Sequence, residues 1–378
     1  MQKDFLLKNF YRPTWVEIDL SALEHNFFQI KNTVGRNVKT LLVLKADAYG
    51  HGAVPLAKRL IKCKADFFGL ASIEEAIIFR NNNIHTPILL MGVLLKSFFP
   101  AILKYNIIPT ICDATVAYEL NQYLKRVGKV IPVHLKIDTG MNRIGVWHND
   151  FFEFVKSIKK NDRLLIEGVY THLASADSDK NFTIKQLNIF RETIKVLESF
   201  NIKPKYIHAA NSAAIIGYKN SYFNLVRPGL MIYGLYPDNN SNRILSLKPL
   251  MTFKTRVISI RQVLRGASIG YGRTYIAKKD MKIAVLPVGY ADGYNRLLSN
   301  RGFVLIRGQY CPIVGRICMD YTMVDISKVE ARLGDEVVLF GRQRGAEIRI
   351  EEIATLCSTI SYEVTCWISP RVNRIYIN

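Results

Sequence analysis

The chain has 378 residues, of which 49% are hydrophobic and 22% charged. That is the balance of a soluble protein long enough for two domains, or for one large barrel with an addition. It has no 18-residue apolar run, so no membrane-spanning helix is expected, and its N-terminal apolar stretch is too short for a signal peptide, which makes the cytoplasm the expected location. The formal net charge of +21 comes from scattered basic residues whose longest runs are pairs such as Lys159-Lys160 and Lys278-Lys279. With no basic block or recognition motif, it reads as a field that attracts phosphates and carboxylates rather than as a nucleic-acid surface.

In chain order, short apolar runs alternate with amphipathic stretches. Candidate strands are TLLVLK (40–45), FFGLAS (67–72), PILLMG (87–92), IIPTICD (107–113) and VIPVHLKID (130–138), followed by LLIEGVYTHLAS (164–175), YIHAANS (206–212) and NLVRPGLMIYG (224–234). Helical patterns lie between them. One follows Ser72, which is placed to cap it with Glu75 completing a capping box. Eight strands each followed by a helix predict an α/β chain with a (β/α)8 barrel. Such a barrel should carry its reactive residues at the C-terminal strand ends, and Lys45, Asp138, His172, Asn211, Ser212 and Arg227 all fall at or just after those ends.

The texture changes near Leu247. Short strand-like runs recur (FKTRVISIRQV, KIAVLPVGY, GFVLIRG, CPIVGRICMDYTMVDI, DEVVLFG and RIYIN), with one helical segment, IEEIATLCSTI (350–360). This predicts a barrel domain over 1–247 and a mainly-β domain over 248–378, packed across residues 237–249. The early strand-like WVEIDL (15–20) fits either domain. The six cysteines form no CxxC pair, and Cys311 and Cys318 lack histidine neighbours at zinc-site spacing. They are expected to be reduced and mostly buried, and no metal site is expected.

Lys45 carries the clearest chemistry. It ends the buried run Leu41–Leu44, where a low dielectric favours the neutral amine, a nucleophile toward carbonyls. The polar, glycine-punctuated turn that follows completes VLKADAYGHG (43–52). In order after it come LKIDTGMNRIG (135–145), THLASAD (171–177), HAANSAA (208–214), VRPGLMIYG (226–234), GYGRTY (270–275), PVGYADG (287–293), GRICMD (315–320) and SYEV (361–364). This ordered set resembles the barrel-fold, pyridoxal-phosphate-dependent alanine racemases over nearly the whole chain, from about Thr14 to Asn378.

The resemblance implies a two-base interconversion of L-alanine and D-alanine, supplying D-alanine for peptidoglycan, with pyridoxal 5'-phosphate in a Schiff base to Lys45. Two acid/base groups must flank the α-carbon. Lys45 matches the base acting on the D-antipode and Tyr271 the base acting on the L-antipode. A phenol with an ordinary pKa of about 10 needs cationic surroundings to serve. Arg227 matches the residue facing the cofactor's pyridine nitrogen. Because arginine keeps its proton, it weakens the electron sink and discourages side reactions. His172 is expected to bridge Arg227 and Tyr271.

Tyr49, Asn211, Ser212, Gly229, Leu230 and Tyr362 match the phosphate cradle. Arg143 and Met319 match the substrate-carboxylate site, and Lys136 matches a lysine often carbamylated to orient that arginine. Tyr290 and Tyr362 match residues that narrow the entrance, and Asp320 is expected to support the loop after Met319. His208 is expected to support the barrel. The resemblance also implies a head-to-tail homodimer in which Tyr271 and Met319 of one subunit meet Lys45 of the other. The nearest alternative is a racemase that also takes serine. A non-catalytic cofactor carrier on a similar barrel lacks the β domain, and a related decarboxylase benefits from an acidic partner at the pyridine nitrogen, against Arg227.

Overall fold

A computed structural model describes residues 11–237 and 245–378. The linking segment expected at 237–249 therefore falls largely outside the described residues, as do residues 1–10. The first strand, β1 (Thr14–Asp19), pairs with strands late in the chain. Eight parallel strands then follow one another: β2 (Lys39–Val43), β3 (Phe67–Leu70), β4 (Ile88–Leu90), β5 (Ile108–Ile111), β6 (Ile131–Asp138) with a two-residue strand β7 (Val146–Trp147) beside it, β8 (Leu164–Tyr170), β9 (Tyr206–His208) and β10 (Leu225–Val226).

From β2 to β9 each of these strands pairs with the next, and β10 pairs with β2 through Leu225↔Lys39 and Val226↔Thr40. Between β9 and β10 the Asn224 N–H donates to the Ile207 carbonyl and the Arg227 N–H to the Ala210 carbonyl at 2.9 Å, which nearly closes the ring. The (β/α)8 expectation is thus borne out. β3, β4 and β5 are short and buried on both faces, as parallel strands covered by helices must be.

The intervening helices begin where side chains satisfy their first N–H groups. Ser72 accepts from the Glu75 N–H at 3.3 Å, with the reciprocal half of the capping box in place. Asp113 accepts from Val116 at 2.8 Å and Asp179 from Phe182 at 2.9 Å. One expected strand is mostly something else. Of NLVRPGLMIYG only Leu225–Val226 is strand, because Pro228 has no N–H for a ladder and Leu230–Tyr233 winds into a 3₁₀ turn.

The chain divides into two compact units, one of Ala22–Ala48 with Ala53–Lys248, the other of Tyr49–Gly52, Pro249–Asn378 and the N-terminal strand. The second unit holds β11 (Met251–Arg256), β12 (Ser259–Val263), β13 (Ser268–Ile269), β14 (Tyr275–Ile276), β15 (Met281–Leu286), β16 (Phe303–Ile306), β17 (Gln309–Pro312), β18 (Thr322–Asp325), β19 (Glu336–Gln343), β20 (Ala346–Ile348) and β21 (Asn373–Ile377). Its main sheet runs β17-β16-β19-β11-β1-β21, so the first and last strands of the chain lie side by side. Lys254 of β11 joins them to the rest, with ion pairs to Glu17 at 3.2 Å and Glu336 at 3.1 Å.

The helical pattern expected over 350–360 stops at Leu356. Ser358 turns left-handed (φ 55°), and a second short helix, Ser361–Cys366, follows. The six cysteines are free thiols, but only Cys311 and Cys357 are buried, not most of them as expected.

Candidate active site

Lys45 stands just beyond the end of β2, half-buried. The residues after it do not form the ordinary loop that two nearby glycines suggest. Ala46, Asp47, Ala48 and Tyr49 all take left-handed backbone angles, with φ of 52°, 50°, 55° and 53°. Such a conformation costs an L-residue about 1–2 kcal/mol, so the run persists only because its surroundings hold it.

Among the bonds that hold it, the Ala46 N–H donates to Glu75 Oε1 at 2.6 Å, Ala48 to the Leu44 carbonyl at 2.9 Å, and Ala53 to Asp47 Oδ1 at 2.7 Å. Farther along, Arg374 Nε donates to the Gly50 carbonyl at 3.2 Å. Gly50 (φ 78°) is required there, since a Cβ would lie 2.3 Å from the Thr365 carbonyl oxygen.

Glu75 therefore does two jobs, capping the helix Ile73–Asn81 and pinning the amide next to Lys45. Glu75→Ala is expected to cost about 2 kcal/mol, one lost cap plus one charge-assisted bond. A urea-unfolding midpoint equal to wild type would contradict this.

Arg227 follows β10 and is almost completely buried. Nη1 lies 3.0 Å from His208 Nδ1, and Nη2 donates to the carbonyls of Thr171 (2.7 Å) and Ala209 (2.9 Å). His172 Nδ1 lies a longer 3.4 Å from Nη2. The guanidinium plane is thus locked, while its buried Nε–H has no acceptor among the described residues. Burial pulls the group down to about 10, which leaves it cationic at neutral pH. Tyr170, the last residue of β8, lies under this cation with its ring centroid 5.3 Å from the guanidinium carbon and 4.7 Å from the His208 ring in a stack. No role for Tyr170, Thr171 or Ala209 was legible in the sequence, and His208, expected to support the barrel, also meets the guanidinium.

The charges converge on His172. Burial first, then Arg227, Lys136, Arg143 and Lys45, hold its imidazole well below the usual histidine range. Lys136, buried on β6, is pushed down to about 8 by burial and by Arg227 and Arg143, so part of it is a neutral amine at neutral pH. Asp138 folds the loop carrying Arg143, accepting from the backbone N–H groups of Gly140 (2.8 Å), Met141 (2.9 Å) and Arg143 (3.1 Å). Ser212 Oγ accepts from Gly229 (3.0 Å) and Met231 (3.3 Å), which draws the 229–231 turn, Leu230 included, onto the first turn of helix Ser212–Gly217. Asn211 caps that helix through Ala214 at 3.0 Å and donates to the Leu173 carbonyl.

His208 and His134 are fully buried. Burial and the charge of Arg227 hold His134 down to about 3 and His208 well below its usual value. Below pH ~6.5 the unfolded chain takes up protons that these native rings refuse. Stability is therefore expected to fall as pH drops from about 6.5 toward the native values, by about 1.4 kcal/mol per pH unit for each ring. A flat urea midpoint between pH 6.5 and 5 would contradict it.

In the C-terminal unit, Tyr49 and Tyr362 face each other with ring centroids 6.0 Å apart, and burial followed by Tyr362 pushes the Tyr49 phenol up. Tyr271 sits at the tip of the β13–β14 hairpin between Gly270 and Gly272, both at positive φ, and is 73% exposed. Met319 (53%) and Tyr290 (44%) are exposed too. Their segments are joined by Tyr290 N–H to the Cys318 carbonyl and Ala291 N–H to the Met319 carbonyl, both at 3.1 Å. Asp320 accepts from Arg371 Nη2 at 2.7 Å. Among the described residues no His/Cys/Asp/Glu cluster could hold a metal ion, and no helix is long and apolar enough to cross a membrane.

A lysine, a locked arginine and buried histidines gather at or near the strand ends, where parallel barrels carry their reactive residues. Residues 18–237 match the family profile of the alanine racemase N-terminal domain, and residues 250–376 that of the C-terminal domain. The chain belongs to the alanine racemase family. It is 44% identical over 373 residues to the alanine racemase of Halothermothrix orenii, covering 98% of each protein. It is 44% identical over 369 residues to alanine racemase 2 of Caldanaerobacter subterraneus subsp. tengcongensis, covering 97% of this chain and 95% of that one.

Among solved structures, the alanine racemase of Clostridium difficile 630 superposes with a TM-score of 0.92 at 39% identity, over 98% of this chain and 97% of that one. The alanine racemase of Bacillus anthracis with bound L-Ala-P also gives 0.92, at 36% identity, over 98% and 96%.

Proposed function

We propose that this protein interconverts L-alanine and D-alanine with pyridoxal 5'-phosphate held at Lys45. The observation that carries the reading is Arg227: a buried, locked cation whose Nε–H, with no acceptor among the described residues, suits an acceptor such as the pyridine nitrogen. When bound, the cofactor supplies the electron sink for the charge left at the α-carbon. Ser212, Gly229, Leu230, Tyr49 and Tyr362 would hold its phosphate, with Asn211 shaping the helix end and His172 beside the ring.

Lys45 moves the proton on one face of the α-carbon and Tyr271 on the other. Arg143 and the Met319 N–H bind the substrate carboxylate, and Tyr290 with Tyr362 limits the side chain to a methyl. The neutral fraction of Lys136 supports its carbamylation, which would set a negative charge beside Arg143. An exposed phenol cannot act in a water-excluded site, so the exposure of Tyr271, Met319 and Tyr290 supports a head-to-tail dimer that covers them. D-alanine for peptidoglycan, made in the cytoplasm, is the role that fits.

The test is chiral chromatography of L-alanine and L-serine incubated with the cofactor-loaded protein. D-alanine as the main product is expected. D-serine formed as readily would move the assignment to a broader racemase, and neither product would overturn it.

A further inference from the structure

The contacts of Arg227 continue away from the strand ends into the barrel. His208 Nε2 lies 3.0 Å from Nδ1 of His134, a residue of β6 that is fully buried. The direction of this chain is fixed by chemistry. Arginine has N–H donors and no acceptor, so His208 must offer its Nδ1 lone pair to Arg227 and carry its proton on Nε2. That proton is donated to His134 Nδ1, which leaves His134 protonated on Nε2. This last N–H has no acceptor among the described residues, a cost the fold accepts.

The backbone is built around this imidazole. The β6–β8 register shifts between Val133 and His134, which sets His134 opposite Gly168. A Cβ at Gly168 would lie 2.5 Å from ring atoms of His134. A bulge and a side-chain-free position are both devices for admitting a bulky group into a ladder. The Tyr206 ring stacks on His134 at 6.0 Å and the Phe67 ring lies 6.5 Å away. Burial and Arg227 keep the ring neutral, so it remains an acceptor.

We propose that His134 is a positioning residue of this site: as the buried end of the chain His134–His208–Arg227, it holds the His208 ring and through it the orientation in which Arg227 presents its uncommitted Nε. The consequence for turnover rests on the racemase reading above; the direction of the chain does not.

Two measurements test it. The first is ¹⁵N NMR of the imidazoles in wild-type protein freed of cofactor, with His134 assigned as the signal set that His134→Asn removes from the seven histidines. A neutral ring with a bare Nδ1 and a protonated Nε2 is expected. A proton on Nδ1, or a cation at pH 7, would overturn the proposal.

The second compares His134→Leu, which removes the acceptor, with His134→Asn, whose Oδ1 takes the place of Nδ1. Loss of one buried hydrogen bond two links from the site should lower kcat about tenfold in His134→Leu at little-changed KM, and His134→Asn should return to within about threefold of wild type. Wild-type kcat in His134→Leu, or no rescue by His134→Asn, would overturn the proposal. If His134→Leu does not fold, the tautomer read on wild type decides alone. A wild type that does not racemise alanine would sink the function while leaving the tautomer test intact.

Discussion

Lys45→Ala is expected to abolish racemisation in both directions, by about 10⁴-fold or more, since one residue is assigned both the covalent hold on the cofactor and the acid/base work on one face. The visible absorption band of the cofactor-loaded protein should vanish with it. The fold should survive. β2 is secured by ladder bonds to β3 and β10, and backbone N–H groups hold the turn after Lys45. A Lys45→Ala protein that keeps the band, or more than a trace of racemisation, would remove the lysine from the centre of the account.

Tyr271→Phe deletes one hydroxyl from the exposed tip of the β13–β14 hairpin, so stability should change little. Its effect on activity should be large, about 10²–10⁴-fold, the usual worth of a positioned acid/base group. It should also be one-sided. In D₂O, exchange of the α-hydrogen of D-alanine should persist, because that face is assigned to Lys45, while exchange from L-alanine should be nearly lost. Equal losses from both enantiomers would contradict the division of labour between the two residues.

The barrel was legible because eight apolar runs are separated by capped helices, and a parallel strand buried on both faces leaves a continuous apolar signature. Ser72 and Glu75 announced their capping box. What the same residues could not announce was the second use of Glu75. Its contact with the Ala46 amide spans 29 positions and depends on a left-handed run that alanine, aspartate and tyrosine do not advertise. Gly50 and Gly52 signalled a turn, but the unusual backbone lies on the non-glycine residues before them.

The long apolar segment 224–234 misled in the other direction, since hydrophobic content alone does not separate a strand from a buried 3₁₀ turn, and Pro228 settles the matter. Around Arg227, the lysine and arginine stood out as residue types at strand ends. Most of their supports did not: two backbone carbonyls, Tyr170 and His134 announced no such role, and only the nearly closed barrel brings β6, β8, β9 and β10 together around one guanidinium.

The central claim is that Lys45 of one subunit and Tyr271 of another work on opposite faces of one α-carbon. The most direct measurement mixes two inactive proteins, Lys45→Ala and Tyr271→Phe, under conditions that let subunits exchange, and then assays racemisation of L-alanine with cofactor present. In a head-to-tail dimer each mixed pair regains one intact site and half of the pairs are mixed, so about one quarter of wild-type activity is expected. A mixture that exchanges subunits and stays as inactive as its parts would contradict the claim.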